Sequence, residues 1–328
     1  MHPLTIGAAP TPAPAARRFL ILFIAVVAGG LCCLAASLVA LHREGLLPEP
    51  TLTATNCIDD KLATLRGMPL DDRTLVAVGS STAWRNLDMA SFERRLAGTR
   101  AFNAGICYLY IDQTAYWTEF ILARMPRVRT VLLVVAPRDF DTCRTDRVAF
   151  LEPSLAHAYL SERVPRWLPY ITGFSPVYLM REVVRRLGER GRVATPPYED
   201  SYGSSVFRHA NGWRPPLDID ARCYAGLTAV ESVVVAAGAR LVVATLPVMP
   251  EWALTNDPEG GAVDEWMRGM AAALRHDDTL LIDGRKLAWG DARFADPVHL
   301  VYPNHRAYAR FVADAIAAEQ RPASKAGG

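Results

Sequence analysis

From Thr74 onward, short apolar runs alternate with longer segments in which apolar residues recur every three or four positions. Thr74–Val78 (TLVAV), Thr130–Ala136 (TVLLVVA) and Arg240–Leu246 (RLVVATL) are apolar at successive positions, as strands covered on both faces of a parallel sheet must be. Arg100–Asn103 and Thr279–Asp283 predict two shorter strands. Leu87–Leu96, Ile111–Arg124, Leu217–Ala237, Val263–Leu274 and Tyr302–Ala318 carry the helical period between and after them. Strands alternating with helices predict an α/β fold, a three-layer sandwich with a mostly parallel central sheet.

Upstream the pattern is of another kind. Phe19 to Leu41 is an uninterrupted apolar run, and at about 1.5 Å per residue it covers a hydrocarbon core of ~30 Å. Arg17 and Arg18 precede it. The bias of positive charge then predicts a single-pass helix in the inner (cytoplasmic) membrane, with the N-terminus inside and the rest exported to the periplasm. A cleaved signal peptide is the alternative, but its apolar core spans only about 7–15 residues, and neither Cys32 nor Cys33 follows a lipobox-like sequence. The expected organisation is a Pro/Ala-rich disordered tail (1–18), the anchor (19–41) and a stalk or lead-in (42–72) with a short helix near Asp59–Leu65. An α/β domain (73–320) and a disordered tail (321–328) follow.

Within the domain the alternation breaks between residues 144 and 216, a segment rich in Pro and aromatics (Trp167, Tyr170, Phe174, Tyr178, Trp213) with one basic helical stretch, Val177–Gly191. It leaves from the C-terminal end of the third strand, the edge at which open α/β sheets bind ligands. That position predicts a lid or recognition element; a peripheral subdomain is the plainer alternative.

Composition narrows the chemistry. With a net charge of +2 the chain carries no basic footprint for nucleic acid. Two of its six cysteines lie in the apolar run, leaving Cys57, Cys107, Cys143 and Cys223 in a compartment where disulfides form. Cys107 and Cys143 each follow a predicted strand end, so the expected pairs are Cys107–Cys143 and Cys57–Cys223. Two other pairings are possible, as are buried thiols. No CxxC or His-rich spacing points to a metal, and no organic cofactor is implied.

Two short motifs carry reactive chemistry. Asp296-Pro297-Val298-His299 lets one tight turn bring a carboxylate to an imidazole, fixing its tautomer and stabilising its charged form. Gly79-Ser80-Ser81 follows the first strand and precedes a helix. Taken singly, Ser81 reads as a helix cap, Asp296 as a turn cap and His299 as a core histidine. Taken together at opposite ends of one α/β pattern, they predict a serine nucleophile with its base.

In this order along the chain the residues resemble the SGNH/GDSL hydrolase superfamily over roughly residues 73–318, which implies an SGNH/flavodoxin-like sheet. Gly79-Ser80-Ser81 matches the nucleophile block, whose third residue selects Ser81. Asn103-Ala104-Gly105 matches the block that contributes a glycine, and Asp296/His299 match the Asp-x-x-His pair. The third block departs: Ala136-Pro137-Arg138-Asp139 stands where the family has Gly-x-Asn-Asp, so Arg138 replaces the Asn of the oxyanion hole. Arg138 then donates to the oxyanion, binds an anionic substrate group through its planar fork, or pairs with Asp139 or Asp141.

The resemblance implies two-step acyl transfer by Ser81, His299 and Asp296, with Ser81 and Gly105 amides in the oxyanion hole and Asn103 beside the substrate. Asn103 and Asp139 also read as plain structural hydrogen-bonders. The GSS block, the anchor and the exported location further resemble membrane-anchored proteins that accompany O-acylation of bacterial surface polymers, such as the D-alanyl transfer protein of teichoic acid and the alginate O-acetylation proteins. The expected partners are an acylated surface carbohydrate, with acetyl as the acyl group, and an integral-membrane acyltransferase. The alternative is a non-catalytic scaffold that binds a glycan or such an acyltransferase.

Overall fold

A computed structural model describes residues 14–144, 148–189 and 200–320. The expected tails, apart from residues 14–18, lie outside the described residues, as do residues 145–147 and 190–199 of the insertion. The described chain forms two compact units: one comprises the N-terminal part up to Pro48 together with the segment from Ser175, and the other begins at Glu49, is interrupted after Phe174, and resumes beyond the segment.

In the first unit, α1 (Pro14–Arg43) is long and apolar enough to cross a membrane, and its apolar window is uncovered along its length. It starts inside the expected tail, so residues 14–18 are helical rather than disordered. Gly45 ends it with a left-handed φ of 67°, which lets Leu46 and Leu47 amides return to Leu41 O at 2.8 and 3.0 Å.

The second unit is the α/β fold. Its first half runs α2 (Asn56–Leu65), β1 (Leu75–Val78), α3 (Ser81–Asn86), α4 (Met89–Arg95), β2 (Ala101–Asn103), α5 (Ile111–Leu122) and β3 (Thr130–Val135). The insertion adds α6 (Pro153–Leu160) and α7 (Leu168–Thr172), and α8 (Pro176–Glu189) belongs to the first unit. The chain then makes α9 (Cys223–Ala236), β4 (Arg240–Thr245), α10 (Pro250–Asn256), α11 (Gly261–Ala273) and β5 (Leu280–Ile282). It closes with β6 (Phe294–Asp296), β7 (His299–Leu300) and α12 (Asn304–Gln320).

The five strands β2-β1-β3-β4-β5 pair entirely in parallel. Val76, Leu132, Leu133, Val242 and Val243 have no accessible surface, as the apolar runs require. Right-handed crossovers put α3 and α4 on one face, because β1 to β2 runs one way, and α5, α9 and α11 on the other, because later connections run the opposite way. The packing agrees: α5 lies on α9, α9 on α11, and α12 on α3 and α4. The direction of travel reverses between β1 and β3, so the crevice at their C-terminal ends is the ligand position of the fold.

Several expectations need correction. Residues 49–72 are not a stalk: Ile58, Leu62, Leu65 and Leu70 join the main core. The expected Leu87–Leu96 helix is shorter, α4 running from Met89 to Arg95, and a separate short helix, α3, precedes it. α9 starts at Cys223, six residues after Leu217, following the extended segment behind Pro215-Pro216.

The disulfides are Cys57–Cys107 and Cys143–Cys223, with Cα atoms 6.1 and 5.2 Å apart, not the pairs expected. The expectation placed Cys107 and Cys143 together because both follow strands. The fold instead sets α2 beside the loop after β2, and it ties the β3 exit to the start of α9 through Asp220 N–H donating to Phe140 O (2.8 Å) and Cys143 N–H to Asp220 Oδ2 (3.3 Å).

Lys61 on α2 is wholly buried; its Nζ donates to Asn103 O at 2.5 Å and Gly203 O at 2.7 Å. It thereby fastens α2 and the Tyr202–Val206 segment to edge strand β2, whose Asn103 N–H donates to Tyr202 O (2.8 Å). An edge covered in this way does not template further strand pairing.

Two predictions follow from this architecture. Replacing Cys143 and Cys223 by Ser should lower the unfolding free energy by about 2–4 kcal/mol, measured by urea titration, since the bridge closes a long loop. Burial lowers the Lys61 pKa to about 7 against the pull of Asp200, whereas an unfolded Lys titrates near ~10.4. Between those values the unfolded chain holds the extra proton, so this group should make stability rise with pH from about 7 to 10. The thermal midpoint of Lys61→Met should lack that rise; parallel profiles for the two proteins would contradict it.

Candidate active site

The turn that carries Ser81 is made by glycine at the end of a buried strand. Gly79 adopts φ 128°, in the half of the map that L side chains rarely enter, and an added Cβ would sit 3.0 Å from Val134 O. The chain then turns directly into α3. Ser80 caps it: its Oγ accepts from Thr82 N–H (3.1 Å) and donates to Asp139 Oδ1 (2.5 Å). Asp139 also accepts from Ala136 N–H at 2.7 Å. Burial raises the Asp139 carboxyl to about 6, the largest effect, against those hydrogen bonds and the Arg138 charge. Asp139 is therefore a positioning group behind the turn, and Ser81 is left as the first residue of α3.

The second half of the site is a β-hairpin. β6 and β7 pair antiparallel, with Asp296 opposite His299, and Val298 N–H donates to Asp296 Oδ1 (3.0 Å), tightening the turn. His299 Nδ1 lies 2.9 Å from both Asp296 oxygens, and its Nε2 lies 2.9 Å from Ser81 Oγ. With a carboxylate at Nδ1, that nitrogen carries the proton and Nε2 accepts from the Ser81 hydroxyl. Burial works to raise the Asp296 carboxyl, but hydrogen bonding and charge from His299, with bonds from Asn211 and Val298 N–H, outweigh it and hold the group below its ordinary value. Ser81, His299 and Asp296, brought from opposite ends of the domain, thus form a hydrogen-bonded serine–imidazole–carboxylate relay.

Three supporting residues were not signalled by any motif. Asn211 Nδ2 donates to Asp296 Oδ2 at 2.8 Å. Asn86, fully buried, donates to Thr82 O (2.8 Å) and Val298 O (2.9 Å) and accepts from Leu300 N–H (2.7 Å), fixing the hairpin to α3. The Phe207 ring lies 4.7 Å from the His299 ring. Phe207 and Asn211 come from the aromatic insertion, whose placement after β3 was the available hint.

The expected oxyanion and substrate groups fare differently. Asn103 does not face a substrate: it is fully buried, its Nδ2 donates to Ala83 O (3.0 Å), Trp84 O (3.2 Å) and Ser204 Oγ (3.2 Å), and its Oδ1 accepts the Gly105 amide at 2.9 Å. Gly105 is consequently not an oxyanion donor in this arrangement. Its requirement is steric, since an added Cβ would lie 2.6 Å from Trp84 N. Arg138 lines the site but is ion-paired with Asp141. The Ser81 amide, at the first turn of α3, has no intrahelical acceptor and is the backbone donor on the same residue as the Ser81 hydroxyl.

These groups open onto a cavity of about 510 Å3 walled by Ser81, His299, Asp296, Arg138 and Asp139 together with Tyr108, Tyr110, Phe207, Asn211 and Trp213. That volume lies within the range of small-molecule ligand pockets. Tyr108 is 76% exposed and holds φ 57°, left-handed backbone that is costly for a bulky side chain, next to the bridged Cys107. No cluster of side chains suited to a metal occurs among the described residues.

Searches against protein-family models and against curated proteins found no match to this chain.

Loss of the Asn211 hydrogen bond should weaken Asp296 as a partner for His299. Asn211→Ala should slow modification of Ser81 by a fluorophosphonate on the order of tenfold. An unchanged rate in a folded variant would show that Asp296 does not need Asn211.

Proposed function

We propose that this protein is an SGNH-type serine esterase or O-acyltransferase, held at the inner membrane by α1 with the α/β domain on the periplasmic side. Its substrate would be the acyl ester, acetyl in the first instance, of a surface glycan. The observation that carries the reading is the continuous relay from Asp296 through His299 to Ser81 Oγ, at 2.9 Å per step. Motif order along the chain and the switch-point position of the site support it. The charge step from Arg17-Arg18 to the apolar run supports the orientation.

In this mechanism His299 Nε2 takes the Ser81 proton as Oγ attacks the ester carbonyl, and Asp296 stabilises the imidazolium. The Ser81 amide stabilises the oxyanion, one such donor contributing about 3–4 kcal/mol to the transition state. Collapse of the tetrahedral adduct returns the proton from His299 to the leaving alcohol and leaves an acyl-serine. A second nucleophile, deprotonated by His299, then releases the acyl group: water completes hydrolysis, and a sugar hydroxyl completes transfer. Tyr108, Tyr110 and Trp213 offer faces for sugar rings, and Arg138, paired with Asp141, lines the same wall. An integral-membrane acyltransferase is the partner proposed for the transfer case.

One observation favours a second reading, a non-catalytic scaffold that binds a glycan: Gly105 N–H and Arg138, two of the expected oxyanion donors, are already engaged by Asn103 and Asp141.

Incubating the full chain with a small activated acetyl ester and a fluorophosphonate separates the readings. Turnover and labelling should both fall about 10³-fold or more in Ser81→Ala. A folded wild type that neither turns over ester nor takes the label would overturn the catalytic reading and leave the scaffold. Where turnover occurs, repeating it without the fluorophosphonate and with a glycan acceptor, and finding that glycan acetylated, identifies the transferase.

A further inference from the structure

Helix α8 is amphipathic in the reverse sense to a helix packed on a soluble core. Val177, Met180, Val184 and Leu187 recur at the spacing of one helical face and are between 45% and 79% exposed. The covered side of the same helix is polar at its centre: Glu182 is 2% exposed and ion-paired with Arg185 at 2.8 Å, Tyr178 is buried beside it, and Arg181, also paired with Glu182, stays exposed. A soluble surface helix turns its apolar stripe inward.

We propose that the Val177/Met180/Val184/Leu187 face of α8 lies in the interfacial layer of the membrane that α1 spans, so that the protein is attached to the lipid surface at a second point. The inference rests on reading α1 as a retained anchor. Three observations favour lipid over a protein partner. First, α8 belongs to the same compact unit as α1, whose apolar surface is likewise uncovered. Second, α8 separates its apolar and polar residues sharply while having little overall hydrophobicity, the pattern of helices that lie in the plane of a bilayer rather than cross it. Third, Arg181 borders the exposed stripe, where a long cationic side chain extends from apolar depth to anionic headgroups. At about 1.5 Å per residue, Pro176–Glu189 is too short to span a core of ~30 Å, so an in-plane position is the one open to it in lipid.

The test places an environment-sensitive fluorophore on single cysteines of the full chain in phosphatidylethanolamine/phosphatidylglycerol vesicles. In a Cys32→Ala/Cys33→Ala background, Met180→Cys and Val184→Cys report on α8, and Ser232→Cys, exposed on α9, is the aqueous reference. Cys33 retained alone reports on the anchor. Labels at 180 and 184 should be quenched by brominated acyl chains, more by shallow than by deep bromines, and several-fold less by aqueous iodide than the label at 232. Thermal unfolding like that of the parent verifies that each labelled chain is folded. Iodide quenching at 180 and 184 equal to that at 232 would overturn the proposal by placing the face in water. Protection from both quenchers would overturn it in favour of a protein-covered face. A Cys33 label that bromolipid does not quench would overturn the anchor reading itself, an outcome distinct from failure at α8.

Discussion

The buried amide of Asn86 holds the site together. It is the last residue of α3, and it contacts both the helix that presents Ser81 and the hairpin that presents His299. Its donor side reaches Thr82 O and Val298 O, and its acceptor side takes Leu300 N–H. Each partner is a backbone group, so the amide fixes main chain to main chain across the two halves. Ser81 and His299 are far apart in the chain, and their 2.9 Å separation is a tertiary property. With the amide in place, small movements of the hairpin carry α3 with them. Leaving such groups buried without partners costs about 1–3 kcal/mol each, so the register of hairpin on helix is strongly specified.

The electrostatics of the two buried aspartates divide their roles. Asp296 and Asp139 both lose water, but only Asp296 faces an imidazole able to carry positive charge, and it stays below the ordinary carboxylate range. Asp139 is approached by the Ser80 and Thr82 hydroxyls, the Ala136 amide and the Arg138 charge, which together do not offset its burial, and it rises to about 6. The first suits stabilisation of an imidazolium. The second suits a fixed hydrogen-bond anchor under the Ser80 cap, where a change of protonation disturbs the nucleophile turn rather than the reaction itself.

What was legible in the sequence is what local pattern encodes. Strands apolar on both faces could only be central strands of a covered parallel sheet, and Asp-x-x-His could be read because a hairpin turn brings those two residues together within four positions. Properties set by distant packing were hidden. Asn103 and Gly105 looked available to a substrate, yet the Asn103 carboxamide captures the Gly105 amide only because α3 and Ser204 close over it. The disulfide partners were misjudged because strand ends that look equivalent in sequence open on different neighbours, α2 in one case and α9 in the other. The residues 49–72 looked like a stalk because of their Pro and Thr content, while the apolar spacing that buries Ile58, Leu62 and Leu65 was too short to outweigh it. Asn86 carried no signal, and Asn211 none beyond its place in the insertion, since an asparagine's value as a clamp exists only once its partners are assembled.

On the acyl-transfer reading, the balance between hydrolysis and transfer lies in the cavity wall and not in the relay. The relay treats water and a sugar hydroxyl alike, because His299 accepts a proton from either. Water is present at high concentration, so transfer wins only when the acceptor hydroxyl is held against the acyl-serine. Such positioning is equivalent to effective concentrations of up to about 10⁵–10⁸ M in well-oriented cases. A wall with a strained, exposed Tyr108 and the rings of Tyr110 and Trp213 restricts a pyranose at low entropic cost, since each ring turns about only two side-chain bonds. The positions from which transfer or hydrolysis is decided are therefore the aromatic ones, contributed by the loop behind the Cys57–Cys107 bridge and by the insertion after β3.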